Sequence, residues 1–213
     1  MMRVWMSRWV LNESKFLSTE EVRQLLRAVE SRAQTALGPA ARRTATQDRM
    51  IVGLGLSTGL RVAEIAGLRC GDVFVHDGMS SLLVRRGKGG KTRLVSFNGD
   101  LKARLVEFLE WKRRWNEPTE SEAPLLRSSR TGKPLTVRAI QKVFKRCARL
   151  AGLSPRYSIH SLRHTYACHL YKASGWNLRL VQRQLGHTSI ATTQVYADVM
   201  EPDVRRALER LYK

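Results

Sequence analysis

Apolar residues recur along this chain with two periods, and the switch between them marks out its elements. Residues 1–15 read as a short arm. Ser18 with Glu21 forms a capping box, and Val22, Leu25, Leu26 and Val29 follow at helical spacing. Residues 36–43, which carry Gly38 and Pro39, read as a loop. Met50–Leu56 is apolar apart from its glycines, as the buried part of a helix would be, and Ser57-Thr58-Gly59 breaks it. The next helix turns Val62, Ile65 and Ala66 inward, with Arg61 in its first turn and Glu64 three residues on along the same face. Between Val73 and Phe97 the period becomes that of strands. Val73–Val75 and Leu82–Val84 flank the turn Asp77-Gly78, and Thr92–Phe97 pairs next, after Gly87-Lys88-Gly89-Gly90-Lys91. Asp100–Trp115 is helical on Leu101, Leu105, Phe108 and Leu109, and 116–124 reads as a solvated connector. Helices are expected over 137–151, 161–173, 178–185 and 190–197, with a last amphipathic one over 203–211. The fold class is mainly α with a small three-stranded antiparallel sheet.

Composition narrows the function. Hydrophobic residues make up 43% of the 213, enough for a globular core and too many for a disordered basic tail. No apolar run reaches the ~18–20 residues that span a bilayer. Met1–Leu11 is interrupted by Arg3, Ser7 and Arg8, unlike a signal peptide, so a cytoplasmic protein without membrane partners is expected. Cys70, Cys147 and Cys168 are scattered and odd in number, which argues for reduced thiols.

Charge changes the picture more. Thirty-eight Lys and Arg against 18 Asp and Glu leave a formal charge of +20. A polyanion is the natural partner, since neutralising phosphates releases condensed counterions. Membrane binding would concentrate the basic residues in one helix or tract, whereas these run along the whole chain. Arg138, Lys142, Lys145 and Arg149 share one helical face opposite Ile140, Phe144 and Cys147, as on a helix laid against DNA. Arg85, Arg86, Lys91 and Arg93 flank the glycine-rich turn and are further expected DNA contacts.

Three more motifs stand out. In His160-Ser161-Leu162-Arg163-His164, His160 is expected just before a helix and Arg163 in its first turn, where backbone donors favour anions. His160, His164 and Cys168 share a zinc-like spacing, but no carboxylate completes the set and Arg163 would repel a cation, so no metal is expected. Gly186 ends a helix and throws His187 out of it, and Tyr196 follows nine residues later.

The combination matters more than any member of it. Thr58-Gly59-Leu60-Arg61-Val62-Ala63-Glu64, the Gly87–Lys91 turn, His160–His164, Leu185-Gly186-His187 and Tyr196 occur in an order and at a spacing that strongly resemble the catalytic domain of tyrosine recombinases, the phage-integrase family of site-specific DNA recombinases. The resemblance runs from about Phe16 to Val199. It implies that strands are cleaved and rejoined through a 3′-phosphotyrosyl intermediate, without metal, nucleotide or other cofactor.

Residue by residue, the resemblance makes Tyr196 the nucleophile and gives Arg61 and Arg163 the scissile phosphate. Guanidinium suits that task because its planar fork pairs with two oxygens at once. Lys88 matches the general acid for the leaving 5′-oxygen, His160 the general base and His187 a further phosphate donor. Glu64 supports Arg61 or a neighbour, and His164 and His169 are taken as structural. By the same resemblance the partners are double-stranded DNA, three further copies of the chain on synapsed sites, and accessory DNA-bending proteins. The setting is the nucleoid of a prokaryote or a phage or mobile element. The domain division is an arm over 1–15, a catalytic domain over 16–202, and a terminal helix over 203–213 exchanged between subunits.

The sequence departs from most of the family in having only about fifteen residues before the first catalytic-type helix, where a DNA-clamping domain usually stands. In this it resembles the short recombinases of fimbrial phase switches, or a fragment of a longer integrase. A type IB topoisomerase uses similar residues, but the HxxR motif and compact length favour recombination. A non-catalytic DNA-binding regulator would not require Tyr196 or Lys88.

Overall fold

The computed structural model describes residues 15–76, 78–85 and 92–199. Among them, eight α-helices and three strands follow in the order α1 Thr19–Thr35, α2 Pro39–Thr58, α3 Val62–Ala66, β1 Val73–Phe74, β2 Ser81–Val84, β3 Arg93–Ser96, α4 Gly99–Arg114, α5 Val137–Leu150, α6 Ile159–Ala173, α7 Leu178–Leu185 and α8 Ala191–Val199. The sheet is antiparallel in the order β1-β2-β3, with Val73 opposite Leu82 and Leu82 opposite Val95. This is the mainly helical architecture with one small sheet that the periodicity implies. The expected helix over 203–211 lies outside the described residues.

Local chemistry accounts for the helix ends. Ser18 Oγ accepts from the Glu21 amide at 3.2 Å, and the Glu21 carboxylate accepts from the Ser18 amide at 2.8 Å. Two of the donors orphaned at the start of α1 are satisfied in this way. The loop expected over 36–43 is shorter than that, because α2 starts at Pro39. Proline in a first helical turn gives up no needed N–H, and Gly38, at φ 77°, turns the chain into the helix. The helix expected from Ser161 starts earlier too. Ser158 caps it, so His160 lies in its first turn and Arg163 one turn further in.

Gly55 inside α2 and Gly59, which caps its end, decide how α6 crosses it. A Cβ on Gly55 would stand 2.6 Å from Leu162 Cδ1, and one on Gly59 would stand 2.4 Å from Tyr166 Cδ1. Only hydrogen fits at either place, so α6 lies almost against the α2 backbone. Arg163, between those two contacts in sequence, is thereby carried to the C-terminal end of α2.

Most buried apolar residues form one core, with Leu25, Ile51, Leu54, Ile65, Leu105, Phe108, Phe144 and Leu162 among its members. A second, smaller cluster gathers Ala167, Cys168, Tyr171, Val181, Leu185 and Tyr196 under α6, α7 and α8. All three cysteines are buried and free. Asp48 is buried at the junction of α1, α2 and α5, where Arg146 holds it with two bonds of 3.0 and 2.6 Å and Arg32 pairs with it as well.

The connector over 116–124 is not fully solvated. It folds back on α4, where the Glu117 amide donates to the Lys112 carbonyl at 2.8 Å. That return buries Lys112 and Glu117 together, Nζ to Oε2 at 3.3 Å, and Lys112 also donates to the Pro124 carbonyl at 3.3 Å. Periodicity cannot show this, since both residues are charged and become compatible with the interior only as a pair. Among the described residues, no helix is long and apolar enough to cross a membrane.

Candidate active site

The ends of α2 and α7, the start of α3 and the middle of α6 meet at Arg163, which is 7% exposed. Its Nη1 donates to the Gly59 carbonyl at 2.5 Å, and its Nη2 to the Leu185 carbonyl at 2.9 Å. Both acceptors are carbonyls near helix C-termini, where a cation is favoured. Burial pulls the Arg163 pKa down to about 10, and the positive charge of Arg61 pulls the same way, so the two guanidiniums lie in each other's field.

His187 Nε2 lies 2.9 Å from Arg163 Nη2, and its Nδ1 lies 2.8 Å from Thr193 Oγ1. A guanidinium only donates, so Nε2 accepts and the imidazole proton sits on Nδ1, pointing at Thr193. The ring is therefore neutral. Burial, followed by the charge of Arg163, depresses its pKa to about 4. In this arrangement His187 has no free N–H for the phosphate that the resemblance assigns to it.

Arg61 caps α3 rather than sitting inside its first turn. Glu64 Oε2 accepts from the Arg61 amide at 2.8 Å, and Oε1 accepts from Arg61 Nη1 at 3.1 Å. The other edge of the same carboxylate is held by Arg93, with Nη1 at 2.9 Å from Oε1 and Nη2 at 3.1 Å from Oε2. Burial raises the Glu64 pKa, but the bonds from Arg93 and Arg61 outweigh it, and the carboxyl stays below its ordinary value. The Arg61 side chain remains 31% exposed, and so within reach of an anion from solution.

Tyr196 lies on α8, three residues after Thr193, and is 3% exposed. Its hydroxyl stands 3.2 Å from His164 Nδ1. Burial pushes the phenol up to about 12, although Arg163 and Arg61 both draw it down. His164 is depressed to about 4, by burial first and then by His160, Arg163 and Lys15. The pair is thus a neutral phenol donating to a neutral imidazole. His160, one turn before His164, is exposed.

Residues 15–202 match the model of the Phage integrase family. The chain belongs to that family. It is 32% identical over 197 residues to the tyrosine recombinase XerA of Pyrococcus furiosus, covering 92% of this chain and 61% of that protein. A crystal structure of a XerA recombinase superposes with a TM-score of 0.73 at 28% identity, over 93% of this chain and 65% of that one. A XerH site-specific recombinase, bound to its difH substrate in a pre-cleavage complex, gives 0.70 at 25% identity, over 93% of this chain and 53% of that one. The chain thus spans about three fifths of the length of XerA.

Within this phage-integrase domain the sequence-selected residues divide into three groups. Arg61, Arg163, His187 and Glu64 converge, and Tyr196 is tied to them through Thr193 on its own helix. Lys88, Arg86 and Lys91 lie outside the described residues. The rest sit away from this cluster or are already engaged. Arg138, Lys142 and Arg149 are exposed on α5, as a groove-facing set would be. Lys145, on the same face, donates to the carbonyls of Pro155 and Tyr157 at 2.6 and 2.7 Å. Arg85 is half exposed and pairs with buried Asp72 at 2.6 Å. Arg93, expected as a DNA contact, points inward to Glu64.

Two residues of the site were not singled out by the sequence. His164, taken as structural, is the partner of Tyr196. Thr193, which is fully buried, orients His187. Helical spacing carried a signal for each, since His164 is one turn from His160 and Thr193 one turn from Tyr196. Among the described residues, no group of three His, Cys, Asp or Glu could hold a metal ion.

Proposed function

We propose that this chain is the strand-cleaving part of a site-specific DNA recombinase. The observation that carries this reading is the meeting of Arg61, Arg163 and His187 at one point, with the helix of Tyr196 fastened to the same point through Thr193. The two guanidiniums lie in each other's field, and a phosphodiester placed between them relieves that repulsion by accepting hydrogen bonds from both. Preorganised donors of this kind stabilise the charge that builds on phosphoryl oxygens.

In the proposed reaction the Tyr196 oxygen attacks phosphorus and the deoxyribose 5′-oxygen leaves, forming a 3′-phosphotyrosyl bond. The phenol proton passes to a base, for which His160 is the assigned residue, and Lys88 protonates the leaving oxygen. The phosphotyrosyl bond retains the energy of the one broken, so a 5′-hydroxyl from a partner strand reverses the step and completes exchange. As placed here, Tyr196 is a poor nucleophile because its phenol is held protonated. Phosphate binding therefore has to accompany release of the hydroxyl from His164. His187 has to turn or gain a proton before it donates to phosphate.

Residues 16–202 are proposed as the catalytic unit, with 203–213 exchanged between four copies on synapsed sites and DNA-bending proteins assisting. Deleting 203–213 tests the exchange, which predicts loss of assembly and recombination on DNA. The reaction is tested by mixing the protein with a nicked double-stranded substrate carrying its target site and trapping the covalent complex. The expected result is a denaturation-resistant adduct that Tyr196→Phe abolishes. An adduct that survives in the Phe variant would place the nucleophile elsewhere.

A further inference from the structure

Arg93 begins β3, and its charge alone would suit solvent or DNA, although strand alternation places it on the same face as buried Val95. Its side chain is 16% exposed and its guanidinium grips both oxygens of Glu64, at 2.9 and 3.1 Å. The same two oxygens receive the amide and Nη1 of Arg61. One buried carboxylate is therefore shared between two arginines on different elements, and only Arg61 is open enough to meet an incoming anion.

The stem of Arg93 is placed as tightly as its head. It lies across Gly186, the left-handed cap of α7 at φ 64°, where a Cβ would come within 2.5 Å of Nε and 2.7 Å of Cδ. Arg93 Nε is buried and has no hydrogen-bond partner, so packing rather than bonding fixes that part of the chain. Gly186 immediately precedes His187. One side chain thus spans from the residue before His187 to the carboxylate that holds Arg61.

Electrostatics gives the arrangement a purpose. A carboxylate left alone beside one arginine closes on it as a bidentate pair, which uses up the fork and neutralises the charge. With Arg93 on its other edge, Glu64 is already satisfied. Arg61 is then oriented by one side-chain bond and one backbone bond while its charge stays largely uncompensated. We infer that Arg93 is a positioning residue of the phosphate-binding centre: it holds Glu64 so that Arg61 is aimed without being neutralised, and it sets Arg61 in register with His187 across Gly186. This rests on the proposed phosphodiester chemistry. It adds a residue that touches neither phosphate nor nucleophile, and it removes Arg93 from the DNA-contacting set.

The test compares Arg93→Ala, Arg93→Lys and Glu64→Gln with the wild type. On the nicked substrate, Arg93→Ala should slow adduct formation about 10- to 100-fold, the cost of an ångström-scale misplacement, while DNA affinity stays near that of the wild type. In an Arg61→Lys background, Arg93→Ala should cost no more than about twofold further, because the two act through one group. Arg93→Lys, which keeps the charge without the fork, should recover only part of the rate. Weaker DNA binding with an unchanged cleavage rate would overturn the inference in favour of a DNA contact. Full additivity with Arg61→Lys would also overturn it. A crystal structure of Arg93→Ala provides a readout that needs no activity. Glu64 should swing to a two-bond pair with Arg61, and an unmoved Arg61–Glu64 contact would sink the inference even if the wild type cleaves. If the wild type forms no adduct while that swing is seen, the proposed reaction fails and the positioning role stands. Glu64→Gln, which preserves shape, covers the case in which Arg93→Ala does not fold.

Discussion

The hydroxyl of Tyr196 lies 3.2 Å from Nδ1 of His164, with the two rings 5.9 Å apart between centroids and tilted by 51°. Both polar ends are held in their neutral forms by burial. The phenol is pushed up to about 12 by burial, and the imidazole is depressed to about 4, also chiefly by burial. The bond is the polar anchor of a residue that otherwise packs in the small apolar cluster with Cys168, Val181 and Leu185.

This bond should appear in a double-mutant cycle. Removing either polar end alone strands the other in a buried place, at a cost of about 1–3 kcal/mol. Tyr196→Phe combined with His164→Leu should cost measurably less than the sum of the two single changes. Urea unfolding of the four proteins measures it, and strictly additive costs would mean that the bond adds nothing to stability.

Stability should fall as the solution is acidified below about pH 6.5, the ordinary histidine pKa. His164 and His187 both stay neutral in the folded state down to about pH 4. Between those limits the unfolded chain binds more protons, so the slope of stability against pH is positive. Melting temperatures at pH 7.5, 6 and 5 should decline in order, and a His164→Gln, His187→Gln double variant should show a shallower decline. Parallel curves would show that other groups control the acid limb.

Gly186→Ala should be worse than the same change at Gly152. Both glycines have positive φ, 64° and 69°, but only at Gly186 does an added Cβ meet anything, namely Arg93 at 2.5 Å. Gly152→Ala should cost the left-handed penalty of about 1–2 kcal/mol. Gly186→Ala should exceed it and also slow covalent trapping, whereas Gly152→Ala leaves trapping unchanged. Denaturant midpoints and adduct rates decide the matter together.

Asp48 should be a stability residue with no share in the chemistry. It is 2% exposed and balances Arg32 and Arg146. Asp48→Ala leaves two arginines without their carboxylate and should cost about 3 kcal/mol. Adduct formation per folded molecule should match the wild type. A loss of cleavage beyond the loss of folded protein would contradict this.

Adduct formation should be the same in EDTA as in magnesium, because two guanidiniums meet the phosphate charge in the proposed centre. DNA affinity, in contrast, should drop steeply with salt, as expected of a chain with charge +20 that displaces counterions. Magnesium-restored cleavage after chelation would require a different account of the charge.

The described helices and the three strands were readable in advance because their signals are local. A capping box, a glycine stop or an apolar repeat acts within a turn or two, and no distant residue is needed to interpret it. The errors of boundary were local too. Pro39 starts α2 where a loop was expected, and Ser158 draws His160 into α6. What stayed hidden was partnership. Lys112 and Glu117 look like solvated charges until the connector folds back, and Arg93 looks like one more basic residue beside a glycine-rich turn.

From its order of residues alone, the chain specifies which segments form helices or strands, how strongly its charge attracts polyanions, and which arginines, histidines and tyrosine the family resemblance groups together. Which atoms of that set touch is decided only by packing. The bare backbone at Gly55 and Gly59 lets α6 settle on α2 and carries Arg163 to the Gly59 carbonyl. The bare backbone at Gly186 lets Arg93 reach Glu64, and α8 closes Tyr196 onto His164. These are contacts between elements far apart in sequence. Their geometry depends on the shapes of surfaces that do not exist until the chain has folded.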